Sequence, residues 1–134
     1  MKKAPAAPAI AFPRVQSALI HQRIRALAAE HARHVLVFVE DAAASGGYWI
    51  ACAGDEIFAD ANSIVGSIGV VASSFGFQDL LARHGIERRL HVAGRHKAML
   101  DPFLPEKPAD LAHLEALLQD MHTSFKDVVT ERRA

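Results

Sequence analysis

A single cysteine, Cys52, stands in the 134 residues of this chain, so no internal disulfide framework can form. Charge of one sign is equally lacking. Fifteen Lys and Arg balance fifteen Asp and Glu for a formal net charge of zero, which removes the electrostatic case for nucleic acid or an anionic membrane surface as partner. No stretch approaches the roughly 18 apolar residues of a membrane span. The basic start, Met1-Lys2-Lys3, precedes Ala4–Pro13, which holds three prolines and no apolar run long enough for a secretion-signal core. These absences predict a soluble, untargeted chain with a flexible Ala/Pro leader over residues 1–13. There is no internal repeat.

What is present suits an α/β protein of one domain, residues 14–134: 51% of residues are hydrophobic and 22% charged. Pro13 fits a first helical turn. Val15, Leu19, Ile20, Ile24, Leu27 and Ala28 then recur at helical spacing to about Glu30. Val35-Leu36-Val37-Phe38-Val39 is a continuous, β-branched run, which predicts a parallel strand covered on both faces by helices. Glu40–Ala44 reads as a turn, Tyr48–Ala53 as a short helix opened by Ser45-Gly46-Gly47, and Glu56–Ala59, Ile68–Ala72 and Arg88–Val92 as strands. Phe75–His84 reads as a helix capped by Gly85, and Gly94–Pro105 as loop. From Lys107 onward, Leu111, Leu114, Leu118, Met121, Phe125, Val128 and Val129 step by three or four, the stripe of a long amphipathic helix.

Two places could carry chemistry. Ser45 lies between a buried strand and a helix, beside glycines that let a substrate backbone come close. Its hydroxyl would sit near unpaired N–H groups and the positive end of a helix dipole, a setting that stabilises an acyl-transfer oxyanion by roughly 3 kcal/mol per donor. The same residues also fit a plain N-cap serine followed by a tight turn. A serine nucleophile needs a base, and none of the eight histidines sits in an arrangement that reveals one. His31 and His34 have the spacing of a weak metal pair but fit a solvated helix end better. His21, His84, His113 and His122 read as surface. Lys97 lies among the apolar Met99, Leu100 and Phe103, and a lysine desolvated there could act as a neutral base. It also fits an ordinary exposed loop lysine.

Three blocks alter this balance: Ala43-Ala44-Ser45-Gly46-Gly47-Tyr48, Ala53-Gly54-Asp55-Glu56-Ile57-Phe58-Ala59-Asp60 and Val65-Gly66-Ser67-Ile68-Gly69-Val70-Val71. With Gly94–Pro102 as a fourth, their order and separation resemble the signal-peptide-peptidase (SppA/SohB-type) family of serine proteases over roughly residues 15 to 134. The resemblance implies the Clp protease/crotonase-like fold, a parallel sheet flanked by helices. It also implies a Ser–Lys dyad without cofactor or metal: Ser45 as nucleophile, Lys97 as general base, Ser67 as a hydroxyl that supports the lysine and Gly46 as an oxyanion donor. Peptides, apolar and extended like cleaved signal peptides, are the implied substrates. Where the family has a glycine-pair turn this chain reads Ala9-Ile10-Ala11-Phe12-Pro13-Arg14, so the second oxyanion donor is not visible. The expectation is a truncated member with an incomplete sheet, prone to form a homo-oligomer. Two other readings stay open: a catalytically silent interaction module of the same fold, and a crotonase-like acyl-CoA enzyme that polarises a thioester with backbone N–H groups.

Overall fold

The β-branched and aromatic residues of β1 (Leu36–Val39) pair in parallel with β3 (Glu56–Ala59), Val37 opposite Ile57 and Phe38 opposite Phe58. The computed structural model describes residues 14–94 and 96–133. Pro13 and the leader expected over 1–13 lie outside them. A second parallel pair joins β2 (Ala42–Ala44) to β4 (Ile64–Gly66). The helices are α1 (Arg14–Glu30), α2 (Gly46–Ala51), α3 (Gln78–Arg83) and α4 (Pro108–Arg133). The described residues divide into two compact units, 14–69 with 122–133 forming the first and the described residues of 70–121 the second.

In the first unit α2 packs on one face of the strands. Val39, Ala43 and Ala51 form the core there, with Val37, Tyr48 and Ile57 against them, and Trp49 meets Phe125 of α4 at 4.9 Å between ring centroids. The expectation of a strand buried on both faces is not met. Strand alternation sends Leu36 and Phe38 the other way, where they are 48% and 68% exposed, and Phe38 stacks on Phe58 at 5.1 Å. The expected stripe of α1 is met in part. Ala28 is buried and Ile20 and Ile24 are half-buried, whereas Val15 and Leu19 are exposed and Ser17, outside that stripe, is buried. His21, expected at the surface, is half-buried, its Nε2 shielded and without a hydrogen-bond partner, and burial lowers its pKa. On α4 the expected stripe is the less exposed face, with Phe125 buried.

Three element boundaries moved for tertiary reasons. Ala42–Ala44, expected as a turn, is a strand because pairing with β4 outweighs alanine's weak strand preference. The strand expected over Ile68–Ala72 lies earlier, at Ile64–Gly66, and ends where Gly66 (φ 100) and Ser67 (φ 55) turn left-handed. Arg88–Val92, expected as a strand, has no ladder partner among the described residues. In the second unit α3 begins at Gln78 rather than Phe75 and ends at Arg83, with His84 as its C-cap and Gly85 beyond it, whose φ of 64 suits the left-handed residue after a helix.

Gly54 is tightly packed in the first unit. A Cβ there would meet Val37 Cγ2 at 2.6 Å and the Glu56 carbonyl at 2.9 Å. Gly54→Ala is therefore expected to destabilise the protein by about 2 kcal/mol through overpacking. A urea midpoint that falls with unchanged slope would show it, and an unchanged midpoint would refute it.

Candidate active site

Ser45 is the single residue between β2 and α2, and it joins them with φ 51 and ψ −120. A serine with positive φ is strained by about 1–3 kcal/mol, a conformation that persists only where the surroundings impose it. Here the ladder imposes it from one side, because Ser45 N–H donates to the Gly66 carbonyl at 2.8 Å, one step beyond the Ala44–Gly66 pair. The helix imposes it from the other, because the Ser45 carbonyl accepts from Trp49 N–H at 3.0 Å. The side chain makes no capping hydrogen bond and the residue is exposed. The hydroxyl is thus not used as a cap, the reading that competed with a nucleophile.

The same ladder sets Ser67 beside Ser45, each one residue past the end of its parallel strand and each at positive φ. Carboxyl ends of parallel strands are where α/β sheets bind ligands. Gly46 follows Ser45 as the buried first residue of α2, so its N–H belongs to the group that a helix leaves unbonded internally. At Gly47 a Cβ would meet nothing within 4 Å. A cavity of about 360 Å³ opens alongside, walled by Ile24, Val37, Val39, Ala43 and Ile50 and rimmed by Glu40 and Asp41.

Behind the helix, Asp55 gathers α1, β1 and α4. Its Oδ2 accepts Val35 N–H at 2.8 Å, and its Oδ1 accepts Arg25 at 2.8 Å and Arg132 at 3.1 Å. The Val35 N–H, then Arg132 and Arg25, hold the carboxyl down to about 2. Arg25 also donates to the Ala53 carbonyl, and Arg132 and Arg133 each donate to the carbonyls of both Cys52 and Gly54. Cations at a helix C-terminus complement its dipole. Cys52 is fully buried and burial pushes its thiol pKa up, which leaves it inert as a nucleophile.

Lys97 belongs to the second unit, in the turns between Gly94 and Asp101, and is exposed. The expectation that its neighbours desolvate it is not met by them: Met99 and Leu100 are half-buried and Phe103 is 38% exposed. His31 and His34 are not joined as a metal pair. His34 turns to Glu56 at 3.0 Å and Asp55 at 3.6 Å, and His31 lies near Glu30. Among the described residues no group of three His, Cys, Asp or Glu could hold a metal ion.

The family model of peptidase family S49 matches residues 28–134. This chain belongs to peptidase family S49. Within this S49 chain, 97 residues are 37% identical to a putative protease SohB of Buchnera aphidicola subsp. Baizongia pistaciae, covering 72% of the chain and 28% of that protein. Another 99-residue match, 33% identical, is to a putative protease of Methanocaldococcus jannaschii, covering 74% of the chain and 32% of the relative. A stretch of 120 residues is 62% identical to part of a protein of Brucella melitensis named Na(+)/H(+) antiporter NhaA, covering 90% of the chain but 16% of that protein. The chain therefore spans less than a third of each of these relatives, and the SppA/SohB-type resemblance carried by the serine and lysine blocks is one of family.

Sequence reasoning passed over Asp55 and Asp101 as organising residues. The second had a local signal, since an Asp two residues before a backbone N–H it can accept is an Asx turn, and Asp101 Oδ1 accepts Phe103 N–H at 2.9 Å. The first had none, because Asp55 and Arg132 lie 77 residues apart.

Proposed function

We propose that this chain is the catalytic part of a serine peptidase that cleaves extended apolar peptides, cleaved signal peptides among them, with Ser45 as nucleophile and Lys97 as general base. The observation that carries the reading is the strained strand-to-helix turn at Ser45, a geometry that lifts a serine hydroxyl clear of its sheet, as in the nucleophile elbow of other hydrolases. Ser45 Oγ attacks the peptide carbonyl carbon while neutral Lys97 Nζ takes its proton. Gly46 N–H stabilises the oxyanion. Collapse expels the amine, which takes the proton from Lys97, and water then hydrolyses the acyl-serine with Lys97 again as base. Ser67 supports the lysine, and the apolar cavity beside Gly47 suits an aliphatic substrate side chain. The parallel strands and flanking helices are consistent with the Clp protease/crotonase-like fold.

The antiporter name of the Brucella relative is not carried over, because the shared stretch is 16% of that protein and no described helix here is long and apolar enough to cross a membrane. One observation favours a second reading. The exposed face of Leu36, Phe38 and Phe58 supports self-association, as an interaction module or as an oligomeric enzyme. A fluorophosphonate probe separates the classes: it should label Ser45 in a peptidase and leave a silent module or an acyl-CoA enzyme unlabelled. Lys97→Arg should then abolish both labelling and peptide hydrolysis, because a guanidinium cannot deprotonate. Retained turnover in that variant would exclude Lys97 as the base.

A further inference from the structure

We infer that Asp101 is a positioning residue that holds the Lys97 loop in one conformation, an inference that rests on Lys97 being the base. Within the turns bearing Lys97 the backbone bonds are neutral and near the long end of the range. Lys97 N–H donates to Gly94, Met99 to His96 and Asp101 to Ala98, at 3.4, 3.3 and 3.3 Å. To α4 the turns reach through His96, 3.9 Å from Asp110 and 6.1 Å between ring centroids from His113. Gly94 has φ 110, and a Cβ there would meet the Lys97 side chain at 3.2 Å, so the lysine stem lies against the turn's own backbone. Leu100 is strained, with φ 59. Such a loop does not persist by itself.

Its anchor follows directly. Beside the Phe103 N–H, Asp101 accepts Arg88 on Oδ2 at 2.9 Å, with its own side chain only 10% exposed. Arg88 in turn lies over the Phe103 ring at 5.8 Å from its centroid. Phe103 packs on Phe77, whose N–H donates to the Pro102 carbonyl at 2.7 Å. Charge-assisted bonds of this kind are about twice as strong as the neutral bonds upstream. The Phe103 N–H, followed by Arg88, lowers the Asp101 pKa, so the anchor stays charged wherever a lysine base could work. Asp101 thus ties the residue after the strained Leu100 to two fixed points, and its N–H closes the turn that starts at Ala98, next to Lys97.

A base displaced by about 1 Å can lose a factor of about 100 in rate. Asp101→Ala should therefore lower kcat about 100-fold with KM little changed. Asp101→Asn, which keeps an acceptor for Phe103 N–H but loses the charge facing Arg88, should recover about tenfold of that loss. Hydrogen exchange gives a readout without turnover: the amides of Lys97, Met99, Asp101 and Phe103 should exchange roughly ten times faster in Asp101→Ala, with α1 and α4 unchanged. If Asp101→Ala does not fold, Asp101→Asn carries both comparisons. Lys97→Ala is the reference. An inactive Lys97→Ala beside an Asp101 variant of full kcat and unchanged loop exchange would overturn the inference alone. An active Lys97→Ala would overturn the base assignment and the inference with it.

Discussion

Ser45→Ala is expected to abolish peptide hydrolysis and fluorophosphonate labelling while the melting temperature stays close to that of the parent chain. The activity half follows from the nucleophile assignment, since removal of a serine nucleophile costs about 10⁶ in turnover in the serine proteases where it has been separated from other effects. The stability half follows from geometry. An N-cap serine would contribute about 1 kcal/mol through its side-chain bond, but Ser45 makes no such bond. Ser45→Gly extends the test. Glycine adopts φ 51 without the strain a serine bears there, so this variant should be as inactive as the alanine variant yet melt several degrees higher, on the order of 1 kcal/mol of relieved strain. Stability gained as activity is lost is the expected trade at a strained site. Hydrolysis by Ser45→Ala within tenfold of the parent would end the assignment. A melting temperature that falls in both variants would show that the hydroxyl serves the fold.

Asp55→Ala should destabilise the first unit. It orphans Val35 N–H and leaves Arg25 and Arg132 without the carboxylate between them. These groups are partly buried, with 22% to 31% of each side chain exposed, so unpairing them is destabilising but screened by solvent, and a fall in melting temperature of about 5 °C is expected. Acid adds an independent check. The carboxyl sits at about 2 in the folded protein, through the Val35 N–H first and then Arg132 and Arg25, against about 3.9 for a free aspartate. A depressed folded pKa stabilises above the unfolded value and loses that contribution as pH falls. Its loss should run from about pH 4 down to about pH 2. Asp60 and Asp101 are lowered as well and contribute to the same window, so the measurement is the difference between parent and variant. The stability gap should narrow below pH 4, and a gap constant from pH 6 to pH 2 would remove the ionised carboxylate from the explanation. Because these arginines also hold the carbonyls just past α2, α2 should loosen with them.

Much of this chain is written in its local order. The three-and-four stepping of Leu111 to Val129 is a property of neighbours along the chain, and it marks α4 and its inward face without reference to any partner. The run at Val35–Val39 and the Ile57-Phe58 pair within Glu56–Ala59 carry strand preference locally, and the small residues around Ser45 announce a sharp turn with a serine at a helix start. Other features depend on groups far apart in sequence and had no local trace. Only pairing with β4 makes Ala42–Ala44 a strand, and only the Ser45–Gly66 bond forces the serine to φ 51 and sets Ser67 beside it. On α1 Arg25 reaches a carboxylate 30 residues away, so the placement of that charged residue follows a partner rather than solvent. The Lys97 loop shows the same division: its turns are local, whereas the exposure of the lysine and the anchoring of Asp101 by Arg88 arise from packing that periodicity does not encode.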